Sequence, residues 1–419
     1  MTDVLPDAGL SPLDGAALEA MIEMLARNTD EPGRLTRLYL SNAHRNAIQM
    51  VTDWMRSAGM SARTDAAANV VGRYEGLTPN APVLLIGSHI DTVRNAGKYD
   101  GNFGVIVGIA AVADLNRRGV RLPFAIEVIA FGDEEGVRFP STLSGSKAIA
   151  GRFDPACLSE RDSAGMTRFE WLEALGCHPE DIRDCARDPR KVIGYLEVHI
   201  EQGPVLEANN LPVGIVTAIN GCSRGEIAVK GFAGHSGTLP MNMRHDALTA
   251  AAEMVLAVES RGAAEPGLVA TVGTIGVVGG AVNVVPGEVR ASLDVRSHSD
   301  GLRHKAVEDI RTLVEGIANQ RGVSATTTTP YDAPATPCDL GFRARLAAAV
   351  TAEGVTPFEL GSGAGHDAMA FRGLWPIAML FVRCYKGISH NPAEYATPED
   401  MALSARVLMR FIEDFTKSD

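Results

Sequence analysis

Apolar residues recur at helical spacing over 14–27 and 43–57, then give way to uninterrupted apolar runs. The stretch 83–90, VLLIGSHI, is apolar until its last residues, and 102–118 again has helical spacing. FAIEVIAFG (124–132) and IGYLEVHI (193–200) are further continuous runs. A strand alternates when one face is wet and turns uniformly apolar when both faces are covered. Such runs separated by helices therefore predict an α/β layer, a mixed but largely parallel sheet flanked by helices.

A second pattern starts near residue 213. GIVTAINGCSRGEIAVKGF reads as strand, ALTAAAEMVLAVESR as helix and LVATVGTIGVV as strand. GEVRASLDVRS reads as strand, HKAVEDIRTLVEGIANQ as helix and VSATTTTP as strand. This β-α-β-β-α-β order is the split arrangement of a ferredoxin-like α+β sandwich. The α/β character then returns, with FRARLAAAVTAEG helical, WPIAMLFVRC a strand and PEDMALSARVLMRFIEDF an amphipathic helix. The expected organisation is a discontinuous domain, 1–213 and 329–419, with 214–328 inserted in it.

Length and charge narrow the classes. A chain of 419 residues suggests at least two domains with substantial cores. A formal charge of -12 argues against nucleic acid and anionic membranes as partners, and any anionic substrate would need a local cation. Six scattered cysteines without a CxxC pair fit reduced thiols. The first residues, MTDVLPDAGLSPLDG, lack the basic and apolar regions of a secretory signal, and apolar stretches are broken by glycine and charge. The expectation is a cytoplasmic protein.

Five metal-type residues sit in separate short motifs: His89 in GSHIDTV, Asp100 in GKYDGNFG, Glu135 in GDEEG, His199 in EVHIEQG and His390 in GISHNP. Each motif alone has an ordinary explanation, such as a turn aspartate, a solvated acidic loop or a histidine bonded to backbone. Together, three imidazoles and two carboxylates suffice for two divalent ions if one carboxylate bridges. His89, the Glu134–Glu135 pair and His199 all fall at predicted strand ends, where open α/β sheets form their sites. Two adjacent buried glutamates need neutralising. Glu135 is assigned as a ligand and Glu134 as a general base, because a base must not be tied to the metal. Asp91, two residues after His89, is expected to bond the second imidazole nitrogen. Glu201 is an alternative ligand to His199, and Gln202 is placed to reach substrate. Of the ten histidines, His44, His178, His245, His298 and His304 lie in helical or charged surroundings and are expected at the surface.

In order, GSHIDTV, GKYDG, GDEEGVRFP, EVHIEQGPVLE, GFAGHSGTLPMNMRHDA, GSGAGHDAMAF and GISHNPAEY resemble the M20 peptidase family, over nearly the whole chain. The closer likeness is to its hydantoinase/carbamoylase branch: allantoate amidohydrolases, N-carbamoyl-L-amino acid hydrolases and β-ureidopropionases. His199 is typical of that branch, where peptidase relatives more often carry a carboxylate.

The resemblance implies an aminopeptidase-like catalytic domain. One ion would be held by His89, Asp100 and His199, and the other by Asp100, Glu135 and His390. Mixed nitrogen and oxygen donors suit Mn²⁺, Zn²⁺, Co²⁺ or Ni²⁺. Glu134 would activate water, and His235 would reach the neighbouring subunit's site and stabilise the oxyanion. Asn283 and Arg296 would grip the substrate carboxylate, while Gln202 and the backbone at Gly363 and Ala364 would add contacts. His366 and Asp367 would support the pocket wall. The inserted domain would act as lid and form a homodimer.

The implied reaction is hydrolysis of the terminal ureido C–N bond of a small carboxylate, best allantoate, releasing ammonia and carbon dioxide. N-carbamoyl-L-amino acids and N-carbamoyl-β-alanine are alternative substrates. A non-catalytic binding or scaffold protein that keeps the fold is the alternative of another class. Loss of Glu134 or of a ligand would mark it, and all six residues are present.

Overall fold

Strands that read as continuous apolar runs form the centre of the sheet. In the computed structural model, which describes residues 11–415, Val83–His89 and Ala125–Phe131 are buried at every position. The sheet runs Ser61–Thr64, Val70–Tyr74, Ala125–Phe131, Val83–His89, Val192–Ile200, Ile377–Val382, Val213–Ile219. The four central strands are mutually parallel, and the outer pairings are antiparallel. Parallel strands buried on both faces must be covered by crossover helices. Asn102–Arg117 packs on Val83–His89 and Val192–Ile200, while Leu340–Ala352 and Pro398–Asp414 pack on Ile377–Val382. Close approach depends on small residues, since a Cβ at Gly104 would run into the Val198 carbonyl oxygen. The observed class is mixed α/β with a largely parallel sheet.

The chain divides into two compact units. One comprises the residues up to Thr217, Cys338–Leu360 and Gly365 onward; the other is Ala218–Pro337 with Gly361–Ala364. In the second unit Ile275–Val277, Glu288–Ser297, Gly221–Lys230 and Ser324–Ala333 form an antiparallel sheet, with Leu268–Thr271 also on Glu288–Ser297. Helices Ala247–Ala263 and Asp300–Arg321 close its core through Met254, Val258, Ile310 and Val314 against Ile227, Val229, Leu293 and Val295. Elements therefore follow as strand, helix, strand pair, strand, helix, strand.

Local boundaries differ from the sequence reading for identifiable reasons. The run 268–278 breaks into two strands, Leu268–Thr271 and Ile275–Val277, and the Gly273 and Thr274 amides bond the Ser292 hydroxyl between them. The strand begun at 323 continues to Ala333, because Tyr331–Ala333 resume pairing with Cys222–Arg224 after a bulge. Ile215 still pairs in the larger sheet, so the second unit begins at Ala218 instead of 214 and ends at Pro337 instead of 328.

His44, expected at the surface, is fully buried. It lies on the inner face of Asn42–Ser57, accepts the Leu40 amide at Nδ1 and is pushed down to about 3 by burial, with Arg37 and Arg138 adding. His178, His245, His298 and His304 are exposed. All six cysteines are free thiols. No described helix is long and apolar enough to cross a membrane. The terminal stretch read for a secretory signal lies largely outside the described residues.

Candidate metal centre

His89 ends the strand Val83–His89, and His199 is the penultimate residue of Val192–Ile200. Each ring is fixed through its Nδ1, His89 on the Asp91 carbonyl at 3.0 Å and His199 on the Ile200 carbonyl at 2.9 Å. A ring that donates from Nδ1 presents an Nε2 lone pair. Both lone pairs face Asp100 Oδ1, at 3.7 Å and 3.2 Å.

Asp100 sits in a turn that glycine makes possible. Gly101 has φ +66°, and a Cβ there would run into the His89 ring. Glu394 accepts the Tyr99 and Asp100 amides at 2.8 and 3.0 Å, and the Ser389 hydroxyl at 2.8 Å. The other oxygen of Asp100 faces His390 Nε2 at 3.1 Å, and His390 lies 3.7 Å from Glu135 Oε1. Glu134 Oε2 is 3.9 Å from His89 Nε2. The donor atoms thus fall into overlapping groups: His89, Asp100 and His199; Asp100, Glu135 and His390; His89, Glu134 and Glu135.

The electrostatics of this cluster ask for positive charge. Burial pushes Glu134 well up, with Glu135, Asp367 and Asp91 adding to it, and takes Glu135 up to about 7. Burial opposes a charged His89 ring, yet Asp100, Glu134 and Asp91 carry it well above its usual range. Burial likewise raises Asp100, and the His199, His390 and His89 rings outweigh it and hold Asp100 well below the carboxylate range. The Gln202 amide, the Ser389 hydroxyl and the Gly101 backbone amide donate to some of these acceptors, and protons or a cation between the facing ring nitrogens and carboxylates would satisfy the rest. The donor set therefore fits divalent ions, with Asp100 shared between two groups.

Two expectations change. The Asp91 carboxylate lies 3.9 Å from His89 Nδ1 and does not bond the ring. Its oxygens instead accept the Glu134 and Glu135 amides at 3.1 and 3.2 Å, so it shapes the acidic turn while its carbonyl holds the imidazole. Glu201, the alternative ligand, accepts the Val205 and Leu206 amides at 2.7 and 2.9 Å and belongs to no donor group among the described residues. Gln202, at φ +56°, donates to Asp100 Oδ2 at 3.1 Å and to Ser389 at 3.2 Å, and so lies against the cluster.

His366 packs edge-on against His199, with ring centroids 4.6 Å apart, and burial holds it well below its usual range. Glu197, His199 and His366 form a further donor group. Glu197 is already braced by the Ser88 and Tyr195 hydroxyls and the Ala368 amide. Asp367 is fully buried and pushed well up by burial and by Glu197. Glu394 was not singled out from sequence, although GISHNPAE contains it. Its bonds to the Asp100 turn, nearly 300 positions away in the chain, leave no mark in a local pattern.

The remaining candidates lie in the second unit. His235 pairs with Val284, and the Ser236 amide bonds the Asn283 carbonyl, so His235 and Asn283 are neighbours there. His235 accepts the Gly237 amide at Nδ1, which leaves Nε2–H as an exposed donor. Arg244, unremarked in sequence, bonds the Ser236 and Leu239 carbonyls and braces this loop. Arg296 is held by Asp294 at 2.8 and 3.1 Å and donates to the Gly363 carbonyl at 2.9 Å. Ala364 accepts from the Ser362 hydroxyl.

Comparison with known proteins yields one family model, Peptidase family M20/M25/M40, matching residues 85–414. An N-carbamoyl-L-amino acid amidohydrolase of Geobacillus stearothermophilus is 40% identical over 90% of this chain and 92% of that protein. Allantoate deiminase 1 of Glycine max is 38% identical over 95% and 89%. Among solved structures, a hydantoinase/carbamoylase-family amidase from Burkholderia multivorans superimposes with a TM-score of 0.90, at 32% identity, covering 97% of this chain and 98% of that one.

Proposed function

The chain belongs to peptidase family M20/M25/M40, and on that premise we propose that it is a metal-dependent amidohydrolase that cleaves the terminal ureido C–N bond of allantoate. The observation that supports this most is Asp100, buried among three imidazole Nε2 atoms with Glu134 and Glu135 beside it. The relatives named allantoate deiminase, and the likeness of SGAGHDAMAF (362–371) and LFVRCYKGISHNPAE (380–394) to allantoate- and ureidoglycolate-type members, support the substrate.

Two divalent ions, Mn²⁺ or Zn²⁺ with Co²⁺ or Ni²⁺ also suited, would be held by His89, Asp100 and His199 and by Asp100, Glu135 and His390, and would lend Lewis acidity to the carbonyl and the attacking water. Glu134 takes the proton of that water and delivers it to the leaving nitrogen. Oxygen adds to the carbonyl carbon, the C–N bond breaks and ammonia leaves; the carbamate formed then breaks its remaining C–N bond, giving carbon dioxide and the substrate's free amine. His235 Nε2–H donates to the developing oxyanion. Arg296, its guanidinium plane fixed by Asp294, grips the substrate carboxylate with Asn283, and Gln202 and the Gly363–Ala364 backbone complete the pocket. The Ala218–Pro337 unit serves as lid and as the homodimer surface. Its exposed Phe232, Met241, Met243 and Val282 support the latter.

A second reading, hydrolysis of N-carbamoyl-L-amino acids, is favoured by the Geobacillus relative. Both substrate classes offer a ureido group and a carboxylate, as does N-carbamoyl-β-alanine. The test is ammonia release by Mn²⁺-loaded protein from allantoate, N-carbamoyl-β-alanine and several N-carbamoyl-L-amino acids, with metal content measured alongside. Preference for allantoate supports the first reading, and preference for a carbamoyl amino acid supports the second. Protein that neither binds divalent metal nor releases ammonia is a scaffold.

A further inference from the structure

Behind Glu134 and Glu135 lies a buried charge pair that the proposed reaction does not use. Asp133, the residue before Glu134, has φ +68° and is completely buried. Asp is among the few non-glycine residues that adopt this left-handed backbone, and at a fully buried position its neighbours fix it there. What holds it is Arg168, also completely buried, at the first position of the helix Arg168–Leu175.

The contacts make Arg168 a connector. Its Nη1 donates to the Asp133 carboxylate and, at 2.5 Å, to the Ser144 hydroxyl; Ser144 in turn donates to Asp133 at 2.5 Å. Its Nη2 donates to the Ser141 hydroxyl at 2.7 Å and to Glu160 at 2.8 Å, and its guanidinium lies 4.4 Å from the Phe139 ring centroid. The Asp133 carbonyl accepts the Leu143 amide. On the other side, Asp91 accepts the Glu134 and Glu135 amides. The three-residue turn is therefore suspended between a carboxylate on the His89 loop and a guanidinium on a helix about 35 positions downstream.

We propose that Arg168 is a positioning residue: through Asp133 it fixes the backbone that aims Glu134 at the reacting water. This rests on the reading of Glu134 as the base. A planar fork spanning four acceptors is something Lys cannot copy, so charge alone will not substitute for it. The helix Arg168–Leu175, capped by the reciprocal Thr167–Glu170 bonds, is thereby part of the catalytic apparatus without touching substrate.

The test is a double-mutant cycle on the metal-loaded protein, combining Arg168→Lys with Glu134→Gln and reading kcat, KM, bound metal and circular dichroism. Arg168→Lys is expected to lower kcat by about 10²-fold, the scale of a small misplacement. KM should stay within about twofold, metal content should be unchanged, and the residual rate of Glu134→Gln should fall no further when Arg168→Lys is added. Wild-type kcat in a folded Arg168→Lys variant overturns the inference, and so does an equal loss in both backgrounds, which marks a general structural effect. Should Arg168→Lys not fold, Ser144→Ala removes the hydroxyl that donates to Asp133 and accepts from Arg168, leaves the guanidinium–carboxylate pair in place, and is read by the same criteria. If Glu134→Gln itself turns over at the wild-type rate, the base assignment is what fails, independently of Arg168.

Discussion

Burial, together with neighbouring charges, shifts two residues far from their ordinary titration, Glu134 upward and His44 downward. Glu134 is a carboxylate that burial pushes well up, and the proposed reaction has it accept a proton and release it again. Glu134→Gln keeps the shape but not the basicity; turnover should fall about 10²- to 10⁴-fold with bound metal unchanged, as elemental analysis beside an ammonia assay will show. His44 acts on stability instead. Its folded pKa of about 3 lies below the ordinary value of 6.5, so the folded state favours the neutral ring. The stability this carries is complete above pH 6.5 and is lost as pH falls toward 3, at up to about 1.4 kcal/mol per pH unit. His44→Gln, whose amide oxygen can still accept the Leu40 amide, should flatten the pH dependence of urea unfolding between pH 6.5 and 4 by about one proton. An unchanged slope would mean the ring is hydrated in solution.

At the scale of elements, the site is built from strand ends and the turns beyond them. His89, the Glu134–Glu135 pair and His199 come from three adjacent parallel strands, so their convergence follows from strand order. Asp100 is delivered by a turn entering the helix Asn102–Arg117, and the turn depends on Gly101. Gly101→Ala sets a Cβ against the His89 ring at φ +66°. A left-handed non-glycine residue costs about 1–2 kcal/mol before any clash. The variant should melt at lower temperature and bind divalent metal more weakly. Wild-type affinity in a metal titration would show that the turn relaxes freely.

For the whole molecule, the excess of buried carboxylates would make cations bound at the proposed centre a stability term. Removing metal by chelation should lower the melting temperature, and re-adding it should restore it. A ligand at a hundred times its Kd contributes about 2.7 kcal/mol. A melting curve indifferent to chelator and to added Mn²⁺ would count against the centre. If the Ala218–Pro337 unit is a lid, saturating the protein with a non-hydrolysable ureido-carboxylate should contract its small-angle scattering profile. A profile identical with and without the analogue would remove the lid from the mechanism.

The order of residues along the chain pointed to the parallel sheet, because short uninterrupted apolar runs such as VLLIGSHI and FAIEVIAFG, alternating with longer helical patterns, suit strands covered on both faces. It also singled out His89, Asp100, Glu135, His199 and His390, each in a local motif, and the fold gathers their donor atoms into overlapping groups that could hold ions. Tertiary structure decided what supports them. That Asp91 holds the Glu134–Glu135 backbone instead of the imidazole, that Glu394 braces Asp100, that Arg168 holds Asp133 and that His44 is buried all depend on which segments meet after folding. Periodicity is a local property of the chain, whereas a hydrogen-bond partner is chosen among every group the fold brings within about 3 Å.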